Sequence, residues 1–279
     1  SYFFSLNFYK KTLGFKNTGL LFYGSDDAKS KWISKISALG RDDLFELLID
    51  DEINDYLGKS KIKEVLNVKK GLFLQPLELR NKLLKHDNIK KFLNEEFVSF
   101  LEDKNNVEVN FRSGLNKSYD ALIICSGKNL KDFDNNLKVS YGLMAGVENK
   151  DLFNIKKPLN HQGYVIPKVN GINWIGSTYE NSPEFKKDEI KKKVQLNLEI
   201  FDHEDFAVEI KDYWKGERVS AMNNLPRASR LANTKNIYCI GALGSRGLSY
   251  APFLAEIVSS MIQKKQIPIS EGVLTLLKI

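Results

Sequence analysis

The chain has 279 residues, 42% hydrophobic and 28% charged, with two cysteines and a formal net charge of +7. It is long enough to bury a core in one large or two modest domains, and its composition excludes a disordered, collagen-like or disulfide-stapled polypeptide. The most apolar helical stretch, Ala251 to Ile262, is broken by Glu256 and two serines, so no segment predicts a membrane span.

Residues 1–60 place apolar side chains at helical spacing: Phe4, Phe8 and Tyr9, then Trp32, Ile33 and Ile36, then Leu44, Leu47, Leu48 and Ile49. This predicts helices whose aromatics face a core, with one short strand from Gly19 to Tyr23. GLFLQPLELRNKLLKH predicts a strand and then a helix entered at Pro76 and ending near His86, a surface imidazole. From Ile89 the pattern turns to β: KKFLNEEFVSFLED, VEVNFR and YDALIICSG, then LKVSYGLMAGV, QGYVIPKV and INWIGSTY, with a hairpin turn at Asn170-Gly171. A helix follows from about Pro183 to Phe201. Its Lys186, Lys187, Lys191, Lys192 and Lys193 form the densest basic patch, either a solvated face or a polyanion contact. A strand around Tyr213 to Val219, a strand from Asn236 to Ile240, a glycine-rich loop and a long helix complete the chain.

Cys125 and Cys239 both sit in apolar runs without CxxC or Cys/His spacing. They read as buried thiols of a reducing, cytoplasmic protein, and no metal site is expected. His161 reads as a loop histidine and His203 as an exposed helix end.

Two segments carry the chemistry. YDALIICSG is a buried strand ending in Ser126 and Gly127, small residues that let a ligand approach the backbone. NIYCIGALGSRGLSYAPFLAEIVSSMI runs a strand into Gly241, Gly244 and Gly247 and then a helix, whose first N–H groups suit an anionic or electron-rich group. The spacing is GxxGxxG and not the GxGxxG dinucleotide fingerprint, and a tight turn needing positive φ explains the glycines equally well.

Together these segments resemble the D-amino-acid-oxidase-like FAD oxidoreductases: YDALIICSG their second flavin-contacting strand, GALGSRGLSYAPFLAEI their C-terminal flavin loop and helix. GLFLQPLELRNKLL and EEFVSFL fall in the family's order, and HQGYVIP, WIGSTYE and SRGLSYAPFLAE are most similar to the branch of bifunctional tRNA 5-methylaminomethyl-2-thiouridine biosynthesis proteins. The resemblance implies an α/β (α+β) chain: a Rossmann-like FAD-binding domain, N-terminally truncated, interleaved with an antiparallel-sheet substrate domain. The implied boundaries are 1–136 and 226–279 for the first and 137–225 for the second. The family's opening strand, GxGxxG turn and acidic residue are missing from the sequence, so weak FAD retention is expected.

The resemblance further implies oxidation of a secondary amine by FAD. In the tRNA branch this removes the carboxymethyl group from 5-carboxymethylaminomethyl-uridine at the wobble position, with a methyltransferase domain on the same natural polypeptide. By family position the cofactor contacts are Val98, Ser126, Gly127, Gly241, Gly244, Ser245, Arg246, Gly247 and Leu248. Arg218 or Arg246 would hold the substrate carboxylate; Tyr179 and Tyr164 would line the pocket by family position, while core packing is the reading their residue type favours. One departure stands out: where the family shows an acidic residue and a glycine, this chain reads Asn223, Asn224, Leu225, Pro226, Arg227. The alternatives are a small-molecule glycine, sarcosine or D-amino-acid oxidase, and a non-catalytic binding module.

Overall fold

The computed structural model describes residues 1–41, 43–148, 155–184, 186–201 and 209–278. The chain opens with α1 (Tyr2–Asn7) and a π-helical turn (Phe8–Thr12), then β1 (Leu20–Phe22), α2 (Asp26–Leu39), β2 (Phe45–Ile49), α3 (Asp50–Leu57), β3 (Glu64–Val68) and α4 (Pro76–Leu83). β4 (Phe97–Glu102), β5 (Val107–Phe111), β6 (Asn116–Tyr119) and β7 (Leu122–Ile124) lead through a 3-10 turn (Gly127–Asp132) to β8 (Leu137–Glu148). β9 (Leu159–Asn160), β10 (Tyr164–Val165), β11 (Asn173–Gly176), α5 (Lys187–Leu198) and β12 (Glu209–Ala221) follow. Last come β13 (Arg227–Arg230), β14 (Ile237–Gly241), a second 3-10 turn (Gly244–Arg246), α6 (Gly247–Ile262) and α7 (Glu271–Leu276).

These elements form two compact units. The first comprises Ser1–Gly14, Pro76–Ser140 and Glu217–Ile279, the second Phe15–Gln75 and Tyr141–Gly216. The second is built on a sheet of order β12-β8-β11-β10-β9-β1-β3-β2. Alternation along the strands sends Leu21, Leu48, Val65, Leu159, Val165 and Ile175 to one core, which Ile53 and Leu57 of α3 and Ile190, Val194 and Leu198 of α5 complete. At Val169–Ile172 the two-residue turn forms as the Asn-Gly pair predicts, with φ +52° at Asn170 and +84° at Gly171.

The observed division differs from the expected boundaries. Residues 15–75 belong with 141–216, because β1 pairs in parallel with β9, Leu21 opposite Leu159, and both leucines enter the same core. One expected helical stretch is a strand: FELLI is β2 and pairs along its length with β3, a strand the sequence pattern does not announce. Trp32 and Ile33 lie on the outer side of α2, more than 40% exposed, although they are spaced like core residues. Segment 71–75 is not a strand; it is held by the Thr18 hydroxyl, which accepts from the Phe73 amide at 2.8 Å.

In the first unit, β13 and β14 run antiparallel, while β14 and β7 run parallel with Cys239 opposite Ile124. β4, β5 and β6 form a separate antiparallel sheet. α6 is amphipathic and buries Leu254, Ile257 and Val258 against Ala228 and Tyr238 of β13 and β14. Pro252 sits inside α6 and has no N–H, which deprives the Leu248 carbonyl of its helical donor. Tyr9 replaces that donor, its hydroxyl 2.8 Å from the Leu248 oxygen, and burial pushes the phenol up to about 12. Ser5 donates likewise to the Ser249 carbonyl at 2.9 Å.

Candidate functional site

The parallel pairing of β7 and β14 brings their carboxyl ends together, so Ser126–Gly127 and the Gly241–Leu248 loop emerge side by side. That is the crevice position at which open α/β sheets take ligands. Gly127 has φ +60° and nothing within 4 Å of where a Cβ would stand, leaving its backbone open to approach. Beside it lies an open groove of about 830 Å³, walled by Val98, Phe111, Ile123, Ser126 and Phe133 among others. Val98 is 55% exposed there, on a strand whose neighbour Phe100 turns into the core.

The loop glycines divide by role. A side chain at Gly241 would collide with Leu130, a fully buried residue of the 3-10 turn, so this glycine answers to packing. Gly244 combines φ +55° with the Ser220 hydroxyl 2.9 Å from its would-be Cβ. Gly247 meets only Leu243 at 3.8 Å. We expect Gly241→Ala to lower stability by about 1–3 kcal/mol through overpacking, and to cost nothing further in a Leu130→Ala background. Urea unfolding of the four-member cycle checks this, and a flavin-affinity defect that survived in the double variant would return Gly241 to the cofactor.

Arg246 occupies the cap position of α6 without capping it, and its Nη1 donates to Tyr250 Oη at 3.2 Å. No acidic residue lies in the helix's first turn, so no side-chain charge offsets the positive end of its dipole there. Ser245 and Leu248 are exposed. Arg218 is half-buried on β12, two residues before Ser220, which bridges to Leu243; period two therefore puts Arg218 on the strand face that carries Ser220 to the loop. Sequence reasoning missed Ser220, and only its alternation with the buried Val219 and Ala221 marks it.

The turn after β12 accounts for the Asn223–Arg227 departure. Arg227 is buried, with Nε 2.8 Å from Asp134 Oδ2 and Nη1 3.3 Å from Asn223 Oδ1. Asp134 Oδ1 accepts from the Asn136 amide at 2.8 Å.

The remaining expected residues belong to the second unit. Tyr164 is 44% and Tyr179 68% exposed, the first on β10 and the second in the stretch after β11, so neither is core. His161 is half-buried, its Nδ1 3.4 Å from the Tyr23 carbonyl, and desolvation lowers its pKa. His203 lies outside the described residues. The α5 lysines are largely engaged: Lys186 with Glu189 at 3.2 Å, Lys191 with Asp188 at 3.7 Å, and Lys187 over the Tyr213 ring. Cys239 is buried as expected but Cys125 is exposed, because it ends β7 at the groove. Desolvation raises both thiols, so neither is an activated thiolate. No group of metal-ligating side chains occurs among the described residues, and none of their helices is long and apolar enough to cross a membrane.

Residues 7–261 match the DAO family model, described as FAD dependent oxidoreductase. The chain belongs to this family. Over 296 aligned positions, 92% of the chain, it is 25% identical to the tRNA 5-methylaminomethyl-2-thiouridine biosynthesis bifunctional protein MnmC of Campylobacter concisus, covering 45% of that protein. The protein of the same name from Pseudoalteromonas atlantica is 26% identical over 206 residues, 59% of the chain and 29% of the relative. The chain thus spans less than half the length of either relative. Glycine oxidase from Geobacillus kaustophilus shares the fold, with a TM-score of 0.79, 12% identity, 97% of this chain and 80% of that one covered.

FAD is the cofactor of this family, and the first unit fits parts of it. The positive end of the α6 dipole suits an electron-rich ring edge, and the apolar wall at Val98 and Ile123 suits a neutral aromatic ring. The groove lining includes Glu95, Glu96 and Asp132 and no lysine or arginine, so it suits a ring or ribose and not a diphosphate.

Proposed function

We propose that this DAO-family chain oxidises a secondary amine in tRNA, removing the carboxymethyl group from 5-carboxymethylaminomethyl-uridine at the wobble position. The observation that carries this reading is the alignment of 92% of the chain with a relative named for tRNA 5-methylaminomethyl-2-thiouridine biosynthesis. The net charge of +7 supports a polyanionic substrate. A methyltransferase partner and a cytoplasmic setting belong to the same reading.

FAD, when bound, supplies the hydride acceptor. The substrate carbon between nitrogen and carboxylate gives up the hydride and the nitrogen its proton, forming a C=N bond. Water then adds and the C–N bond breaks, leaving the aminomethyl base and glyoxylate. The chain's part is placement. Arg218, or Arg246 at the start of α6, holds the carboxylate through its planar fork. Ser126, Gly127 and the Gly241–Leu248 loop, with Ser245 and Gly247, would present backbone to the cofactor, and Val98 would offer it an apolar contact.

The test is anaerobic mixing of the FAD-loaded chain with tRNA bearing the carboxymethylaminomethyl group. Bleaching of flavin absorbance with one glyoxylate per modified base is the expected result. Bleaching by free glycine or sarcosine but not by the tRNA would replace this reading with a small-molecule oxidase. A failure to respond to any of them, with tRNA still bound, would leave a binding module.

A further inference from the structure

The segment from Arg80 to Leu93 takes no part in the chemistry above, yet it is exposed at every position but Leu84. It carries Arg80, Lys85, Lys90 and Lys91, none of which forms an ion pair among the described residues. The acids near in sequence are Glu78, Asp87, Glu95 and Glu96: Glu78 lies 3.8 Å from Lys82, Glu95 accepts from the Ser113 hydroxyl, and Glu96 pairs with Arg112 at 2.9 Å. Lys82 also donates to the Leu13 carbonyl at 3.1 Å, which anchors the segment to the π-helical turn of the same unit. At the far end the Phe92 ring, 45% exposed, lies under the Lys117 ammonium at 4.9 Å from its centroid.

We infer that this segment is the RNA-binding surface of the chain, with the four cations and Lys117 on phosphates and Phe92 as a stacking surface for an unpaired base. The inference rests on the proposed tRNA substrate and names where the RNA is held. Exposed cations outside any ion pair, close in sequence to a half-exposed aromatic, are the combination that tracks a nucleic-acid backbone and stacks its bases. α5, the more lysine-dense element in sequence, is the weaker candidate, because Lys186 and Lys191 are tied to acids of their own helix. An anionic membrane surface would ask for an apolar stripe beside the cations. Ile89, Phe92 and Leu93 are exposed beside Lys90 and Lys91, as are Leu77 and Leu83 of α4, so the vesicle comparison below, and not the side-chain pattern, separates RNA from a membrane surface.

The test measures binding of the 279-residue chain to bulk tRNA across a salt series. The triple variant Lys85→Ala, Lys90→Ala, Lys91→Ala is expected to lose about tenfold or more in affinity and to flatten the log–log salt slope by about 2 to 3. Phe92→Ala should weaken binding without changing that slope, and Lys191→Ala with Lys192→Ala should leave both unchanged. Thermal melting of each variant verifies folding. If the unaltered chain binds tRNA and the triple variant binds equally well, this surface is wrong while the substrate reading stands; if the unaltered chain does not bind tRNA, both fall. Phosphatidylserine vesicles bound as tightly as tRNA, with the same loss in the triple variant, would overturn the assignment to RNA.

Discussion

Asp134→Ala is expected to destabilise the protein by about 3–5 kcal/mol, the cost of leaving a buried charge without its partner. Its side chain is 1% exposed and that of Arg227 6%, so water does not compensate for the missing carboxylate. Arg227 would keep only the longer bond to Asn223, and the Asn136 amide would lose its acceptor. The paired replacement Asp134→Leu with Arg227→Met should recover most of the loss, because burying two apolar groups of similar size costs no desolvation. Urea midpoints of the single and paired variants decide it. A single-variant loss below about 1 kcal/mol would mean that the pair behaves like a surface salt bridge.

For Arg218→Ala the expectation is a fall of about 100- to 1,000-fold in kcat/KM on a carboxylate-bearing amine, the range for removing one side of a desolvated charge pair. An amine substrate without the carboxylate should be little affected. Arg218→Lys should restore only a small part, since an ammonium cannot reproduce a two-pronged contact. Anaerobic flavin reduction with both substrates separates the cases. Equal losses on the two would move the carboxylate contact to Arg246, whose guanidinium is exposed and bonded to Tyr250.

The strand-loop-helix from Ile237 to Ile262 was legible in sequence because each signal there is local: an apolar run, then glycines, then a long apolar helix. The same holds for the Asn170-Gly171 turn and for the entry of α4 at Pro76. β2 and β3 were not legible. FELLI leads straight into the acidic first turn of α3, so its leucines take on helical spacing, and its strand identity comes from pairing with residues 64–68. The membership of β1 was hidden for a similar reason, since its partner β9 lies more than a hundred residues away in sequence. At the site, the glycines were visible but their causes were not. Leu130 under Gly241 and Ser220 beside Gly244 are long-range neighbours that no motif records. Arg227 announced itself only as a departure from the family text, and burial with Asp134 supplies the reason.

The interleaving of the two units bears on how this polypeptide can be handled and inherited. Backbone passes from one unit to the other at four places, near residues 14, 75, 140 and 216. Neither unit can therefore be excised by a single cleavage or moved as a cassette into another gene. Each closes only after distant stretches have met, which makes late loop closure the slow part of acquiring the fold. A ribosome must release most of the chain before either unit has all its parts, leaving the nascent polypeptide dependent on protection from aggregation until then.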